Sequence, residues 1–291
     1  MIKIPSYHGK FNGQGMLTLS FDDGREDNYR VAYPIMKEYG LLGTIHVTTG
    51  WIDGTWTPPD GSWHSAVGGP ATREQLEEMY EYGIEMSSHG DEHKNNETDL
   101  INCVRKLRGW GFKRVEGHAS PGSNLTIENL DEKRQWFIDA GLTYARSGTS
   151  PFATSGNDVK NNMSYPPRHN YRLTSQVIRH HMTIADITEI IYDAIYNKRW
   201  CILMLHSILY PEDPGYGGDL YYWDVSRFES LCRTLSRIPH RDLLVVTMRD
   251  GVQYANGWQK EAPVIISGRQ RQIESPKQLR NTITSNHIVT Q

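Results

Sequence analysis

Residues 16–24 read Met-Leu-Thr-Leu-Ser-Phe-Asp-Asp-Gly, an apolar strand that runs directly into two adjacent carboxylates. Neighbouring side chains on an extended segment point to opposite sides. Asp22 and Asp23 can therefore take different tasks, one binding a cation and the other facing a substrate. Because Asp and Gly are also common turn residues, a plain turn is the alternative interpretation at this point.

Short apolar runs alternate with longer amphipathic segments along the chain, which is typical of repeated βα units around a mainly parallel sheet. The predicted strands cover residues 16–21, 43–49, 84–88, 113–119, 142–146, 201–206 and 242–247. The predicted helices cover residues 26–39, 72–83, 102–110, 127–140, 184–197 and 226–237. Several strands end in polar groups, as strands do at the active face of an α/β barrel.

The composition excludes several classes of protein. The chain has 291 residues with 31 Lys and Arg against 34 Asp and Glu, a formal net charge of −3. No chain-wide basic field is available to bind nucleic acid or anionic lipid, so we expect neither as a partner. The three cysteines are odd in number and lie among apolar residues, which predicts buried thiols and no disulfide framework.

Residues 1–258 form the predicted main domain. Residues 259–291, poor in aromatics and rich in Gln, Arg, Ser and Thr, form a predicted tail or small extension. The first residues lack the apolar segment of a secretory signal, and no run approaches the roughly 18 apolar residues that span a bilayer. We therefore expect a cytoplasmic location and no association with a membrane.

The predicted strand 84–88 ends in His89-Gly90-Asp91-Glu92-His93, with two imidazoles four residues apart. On a helical turn this spacing places both rings on one side, within reach of a single cation. A surface coincidence is the alternative. The zincin pattern His-Glu-x-x-His does not fit, because Gly90 and not Glu follows the first histidine.

Two further strand ends carry groups of interest. The apolar strand 201–206 places His206 at its carboxyl end, where a hydrogen-bonded core histidine is the alternative. The strand 113–119 is followed by Ser120-Pro121-Gly122, a turn whose free backbone N–H groups are suited to face an oxyanion.

Two long loops, 53–70 and 210–223, interrupt the regular pattern and are rich in aromatic residues. Sugars are commonly held by aromatic faces together with hydrogen bonds, so the loops favour a carbohydrate ligand. The alternative is that the rings hold the loops in place. The aromatic residues in or beside the loops are Trp51, Trp56, Trp63, Tyr216, Tyr221, Tyr222 and Trp223.

Taken together, four segments resemble the polysaccharide deacetylase family, also called the NodB-homology family or carbohydrate esterase family four. They are Leu19-Ser20-Phe21-Asp22-Asp23-Gly24, Ser88-His89-Gly90-Asp91-Glu92-His93, Ser120-Pro121-Gly122 and Leu203-Met204-Leu205-His206. The resemblance covers roughly residues 15–255 and implies an irregular (β/α) barrel, often seven-stranded, with the active site at the carboxyl ends of the strands.

The resemblance also implies roles for individual residues. Asp23, His89 and His93 would hold one divalent metal ion, with Zn²⁺ the first choice and Co²⁺, Ni²⁺ or Mn²⁺ as alternatives. Asp22 would be the general base and His206 would protonate the leaving amine. Candidate substrate-binding residues are Pro121, Gly122, Trp63, Tyr222 and Trp223.

The chain departs from the family pattern at three places. Gly90 stands where the family has Ser or Thr after the first metal histidine, and Ala119 stands where an Arg normally orients the catalytic carboxylate. The Asp-Trp segment that typically supports the catalytic histidine has no clear counterpart.

The resulting hypothesis is a metal-dependent hydrolase that removes N-acetyl groups, or O-acetyl groups, from a saccharide. The first alternative is a hydrolase of a small cytoplasmic amide or ureide, such as allantoin, on the same scaffold. The second is a non-catalytic carbohydrate-binding protein. An acetylated carbohydrate is the expected partner.

Overall fold

The computed structural model describes residues 11–59, 68–148, 162–218 and 221–261, and it contains a closed barrel of seven parallel strands. The barrel strands are β1 (Gly15–Phe21), β2 (Gly43–Val47), β3 (Glu85–Ser88), β4 (Gly117–Ala119), β5 (Tyr144–Gly148), β6 (Leu173–Val177) and β7 (Trp200–Leu205). Each strand pairs with the next, and β7 pairs with β1 from Met16↔Trp200 to Phe21↔Leu205. The predicted seven-stranded (β/α) barrel is confirmed.

Three short strands lie outside this ring. They are β8 (Ser207–Leu209), β9 (Tyr222–Asp224), which pairs with β8, and β10 (Leu243–Val245). One whole edge of β1 pairs with β7. The other edge is shared by two strands: β10 pairs with Gly15–Leu17, and β2 pairs with Leu19–Phe21. The predicted strand 242–247 therefore exists but is not one of the seven.

The sequence analysis predicts six of the seven barrel strands and does not predict β6. Its sequence, Leu-Thr-Ser-Gln-Val, carries three polar residues in succession. A period of two or an apolar run is the signal for a strand, and this segment shows neither. Ser175 and Gln176 are nevertheless buried, because the barrel interior on this side is polar.

The helices surround the barrel. They are α1 (Tyr33–Glu38), α2 (Thr49–Ile52), α3 (Arg73–Tyr82), α4 (Glu97–Gly109), α5 (Leu130–Asp139), α6 (Ile184–Asn197), α7 (Val225–Arg237) and α8 (Met248–Glu261). Thr72 and Gln75 form the predicted capping box at the start of α3. The predicted helix 26–39 is divided into a π-helical turn, Asn28–Ala32, and α1.

The described ranges contain no helix that is long and apolar enough to cross a membrane. All three cysteines are buried and free, in agreement with the prediction. The predicted boundary at residue 258 stays a prediction, because residues 262–291 lie outside the described part of the chain.

A buried polar cluster lies in the barrel beneath the carboxyl ends of the strands. The Glu85 carboxylate accepts hydrogen bonds from the Tyr144 hydroxyl (3.0 Å) and the Thr44 hydroxyl (2.9 Å). The Tyr144 ring reaches Glu85 across β4 only because Gly117 has no side chain. A Cβ atom at Gly117 would lie 1.8 Å from the ring.

We expect Gly117→Ala to destabilise the fold by roughly 1–3 kcal/mol or more, because the added methyl group overpacks the barrel against Tyr144. Urea denaturation followed by circular dichroism measures the free energy of unfolding. The control is Gly109→Ala at the end of α4, where nothing lies within 4 Å of the added atom. Equal stabilities of the two variants would contradict the role given to Gly117.

Candidate active site

Asp23, His89 and His93 meet at the carboxyl ends of β1 and β3. The His89 Nε2 atom lies 3.4 Å from Asp23 Oδ1, and the His93 Nε2 atom lies 3.9 Å from the same oxygen. One ligand atom from each residue lies within 4.8 Å of the others. The structure thus brings together the three predicted metal ligands.

The donor set suits a divalent cation. The Nδ1 atom of His89 lies 2.9 Å from the Ala119 carbonyl oxygen, which can only accept a hydrogen bond. The proton therefore sits on Nδ1, and the lone pair of Nε2 faces Asp23. One carboxylate oxygen and two imidazole nitrogens match catalytic zinc sites, which keep further positions open for water and substrate.

The histidine pair does not lie on the predicted helical turn. Residues 89–93 form a bend in which Gly90 has φ +87° and His93 has φ +54°. Asp99, in the first turn of α4, organises this bend, since its carboxylate accepts hydrogen bonds from the backbone N–H groups of Glu92 (2.7 Å) and Lys94 (3.0 Å). His93 lies between these two residues.

Gly90 gives Asp99 the space it needs. A Cβ atom at position 90 would lie 2.2 Å from Asp99 Oδ2. The departure from the family's Ser or Thr therefore has a steric reason, because a carboxylate from α4 fills the volume into which a side chain at 90 would project.

We expect Gly90→Ala to lower the affinity for Zn²⁺ by roughly 10- to 100-fold, the usual effect of disturbing groups that orient metal ligands. Competition with a chromophoric chelator measures the affinity. Gly40→Ala is the control, because Gly40 also has a positive φ, +65°, but has nothing within 4 Å of an added Cβ. An unchanged affinity in Gly90→Ala would contradict the role of the Asp99 contact.

A buried arginine holds Asp23 from the other side. The Arg25 Nε atom donates to Asp23 Oδ2 at 2.9 Å, so that Oδ1 remains directed at the histidines. The Arg25 Nη1 atom also donates to the Ser207 hydroxyl at 2.8 Å. Arg25 thus connects the metal-ligand carboxylate to the residue that follows His206.

Asp22 pairs with Arg146, a residue that the sequence analysis did not single out. The Arg146 Nη2 atom forms a buried ion pair with Asp22 Oδ1. Arg146 on β5 is the register partner of Ala119 on β4. The arginine absent from position 119 is therefore replaced from the neighbouring strand. Its signal in the sequence was a charged residue inside the predicted strand 142–146.

The Asp22 carboxylate is ionised despite its burial. Burial raises the pKa of Asp22, but the charges of Arg146 and of the surrounding histidines lower the pKa by more. The resulting pKa is about 2. A buried carboxylate stays ionised only when a partner such as this guanidinium neutralises its charge.

We expect Arg146→Met to destabilise the fold by roughly 3–5 kcal/mol, because Asp22 is left buried and unpaired. The double variant Asp22→Asn/Arg146→Met removes both charges and should regain much of this loss. A double-mutant cycle from urea denaturation measures the coupling between the two residues. Additive effects of the two substitutions would refute the pairing as a stabilising contact.

His206 lies at the end of β7 on the other side of Asp22. Its Nε2 atom is 4.0 Å from Asp22 Oδ2, and its carbonyl oxygen accepts a hydrogen bond from Asn28 Nδ2 at 2.7 Å. Burial lowers the pKa of His206 to about 4, although Asp23 and Asp22 raise it. The imidazole is therefore neutral at neutral pH.

The Pro121-Gly122 turn lies above β4 as predicted. Pro121 is buried and Gly122 is exposed with φ +57°. The Ser123 N–H donates to the Ser120 carbonyl at 3.0 Å. Because the Ser123 N–H is engaged within the turn, the Gly122 N–H is the candidate for facing an oxyanion.

The prediction that Tyr222 and Trp223 bind the substrate needs correction. Trp223 is 1% exposed and its Nε1 donates to the Met182 carbonyl at 2.9 Å, so the indole belongs to the core and its faces are not available to a sugar. Tyr222 is also buried, stacked on His180 with centroids 5.7 Å apart. Trp63 lies outside the described residues. Tyr221 is the partly exposed ring of this segment, 5.0 Å from His206.

Comparison with known proteins supports the interpretation of the motifs. The family model described as polysaccharide deacetylase matches residues 10–111, the part that contains Asp22, Asp23, His89 and His93. This part of the chain, about a third of its length, is thus similar to the polysaccharide deacetylase family. The match ends before the Pro121-Gly122 turn, Arg146 and His206.

One curated protein to which the chain is similar is YxkH of Bacillus subtilis (strain 168), which is provisionally named a polysaccharide deacetylase. It is 37% identical over 75 residues, which make up 26% of this chain. The match spans about a fifth (22%) of the relative's own length.

Among solved structures, a provisionally described polysaccharide deacetylase from Mycobacterium smegmatis superposes with a TM-score of 0.54. It is 13% identical, and the superposition covers 89% of this chain and 96% of that one. At this identity the similarity establishes the fold alone, and it agrees with the closed barrel described above.

Proposed function

We propose that the protein is a metal-dependent deacetylase that hydrolyses N-acetyl groups on a saccharide. The observation that carries this proposal is one cluster at the barrel mouth. It combines a carboxylate and two imidazoles within 4.8 Å of one another with a separate ionised carboxylate and a neutral imidazole. Amide hydrolysis needs help at the carbonyl, at the water and at the departing nitrogen, and the cluster has a group for each.

Asp23, His89 and His93 would hold the ion, with Zn²⁺ as our first candidate. When bound, a divalent ion polarises the acetyl carbonyl and lowers the pKa of water. Arg25 fixes the orientation of the Asp23 carboxylate, and the Ala119 carbonyl fixes the ring of His89.

Asp22 serves as the general base. Its ionised carboxylate is held by Arg146, which prevents rotation of the side chain toward the metal ligands. Asp22 and Asp23 follow directly after β1, and their carboxylates have different partners, Arg146 for Asp22 and Arg25 with the two histidines for Asp23. The two carboxylates therefore keep distinct tasks, one accepting a proton and the other binding the ion.

His206 passes a proton to the leaving nitrogen. Because the pKa of His206 is about 4, the ring is not in its protonated imidazolium form at neutral pH. The proton must come from the attacking water by way of Asp22, whose Oδ2 lies 4.0 Å from His206 Nε2. The bond from water oxygen to the acetyl carbon forms, the carbon–nitrogen bond breaks, and the nitrogen receives that proton. The products are acetate and a free amine.

The acetyl group and the sugar lie on opposite sides of this arrangement. In this proposal the Gly122 N–H would hold the carbonyl oxygen as it gains negative charge. The nitrogen that carries the sugar faces His206. O-acetyl removal uses the same groups, with an alcohol as the leaving group.

We expect Asp22→Asn to reduce acetate release by ~10²- to 10⁴-fold, the usual contribution of a general base, while the bound metal is retained. His89→Ala should lose both metal and activity. Elemental analysis of the purified variants, run beside an acetate assay on chitin oligomers, peptidoglycan fragments and small amides, tests both statements.

His169→Ala is the control, because His169 precedes β6 at the opposite end of the barrel. A metal-free Asp22→Asn protein would contradict the division of labour between the carboxylates. Activity confined to the small amides would contradict the saccharide assignment.

A further inference from the structure

Arg179 lies beside the proposed proton donor, just beyond β6. Val177, the last residue of β6, pairs with Met204 on β7, and the Ile178 N–H donates to the Met204 carbonyl at 2.9 Å. Arg179 therefore follows at the end of the barrel where β7 leads into His206. The Tyr221 ring contacts His206, since the centres of the two rings are 5.0 Å apart. The guanidinium of Arg179 lies 5.8 Å from the centre of the Tyr221 ring.

The segment that carries Arg179 is held firmly. The Arg227 Nη1 atom donates to the carbonyl oxygens of His180 (2.6 Å) and Met182 (3.0 Å). The buried Trp223 indole donates to the same Met182 carbonyl at 2.9 Å. The backbone is thus held after Arg179 by these contacts and before it by the Ile178 N–H bond to the Met204 carbonyl.

The charge of Arg179 is not neutralised by a carboxylate among the described residues. Arg25 and Arg146, at the same face of the barrel, are each paired with an aspartate. Arg179 is only partly exposed and leans on an aromatic ring. A guanidinium in such a place is suited to bind a carboxylate or another oxyanion through two parallel hydrogen bonds.

We propose that Arg179 binds an anionic group on the substrate, and that the substrate is an acidic saccharide, with a hexuronate next to the acetylated amino sugar. The inference rests on the proposed function, because it takes from it that the sugar nitrogen faces His206. The sugar nitrogen faces His206, so the residues beyond His206 contact the sugar and its neighbour. Tyr221 offers the ring face and Arg179 the charge.

Two tetrasaccharides of equal length test the proposal. Hyaluronan tetrasaccharide alternates N-acetylglucosamine with glucuronate, and chitotetraose is neutral. We expect Arg179→Gln to lower kcat/KM on the acidic substrate by about tenfold or more through KM, as loss of a charged hydrogen bond does, and to leave chitotetraose within about twofold. Arg179→Lys should retain part of the activity.

Arg241→Gln is the matched control, since Arg241 is an 84% exposed arginine ahead of β10 at the other end of the barrel. An equal effect of Arg179→Gln on both substrates, or no effect on either, would overturn the proposal. The affinity for the acidic tetrasaccharide should also fall with added salt, because an exposed ion pair is screened.

Calorimetric titration of the same tetrasaccharides separates this inference from the proposed function. If neither compound releases acetate, the deacetylase assignment fails on these substrates. Tighter binding of the acidic tetrasaccharide by the wild type than by Arg179→Gln would still support the anion site, and equal binding would refute it.

Discussion

Two adjacent carboxylates are buried at the end of β1, and each is neutralised by its own arginine. A buried carboxylate without a partner costs several kcal/mol, so neither Asp22 nor Asp23 would be ionised there alone. Arg146 reaches Asp22 from β5, and Arg25 reaches Asp23 from the turn that follows β1. The barrel must close before Arg146 and Asp22 can meet, which makes the site a product of the closed sheet.

The two pairs also keep the carboxylates apart in function. Arg25 occupies Oδ2 of Asp23 and leaves Oδ1 to the histidines, whereas Arg146 holds Asp22 toward His206. With an ionised Asp22 and a neutral His206, the proposed site starts its cycle without a mobile proton. In the proposed reaction, the proton needed by the leaving amine would come from the water that attacks the acetyl group.

The chain departs from the pattern of the polysaccharide deacetylase family where these contacts differ. Ala119 lacks the expected arginine, and Arg146, its register partner on the next strand, supplies the guanidinium. Gly90 lacks the expected hydroxyl, and the Asp99 carboxylate organises the bend around His93 instead. In both cases the contact at the candidate site comes from a residue on another element.

What the sequence determined by itself was the α/β class, the strands of apolar residues and the polar groups that end them. Asp23, His89 and His93 were recognisable because ligands at the carboxyl ends of parallel strands must meet at one face. Only the tertiary structure decided that β6 completes the barrel, that Arg146 replaces an arginine at 119, and that Trp223 is buried. Each of these depends on which residues from distant parts of the chain come side by side, and that is decided only when the sheet closes.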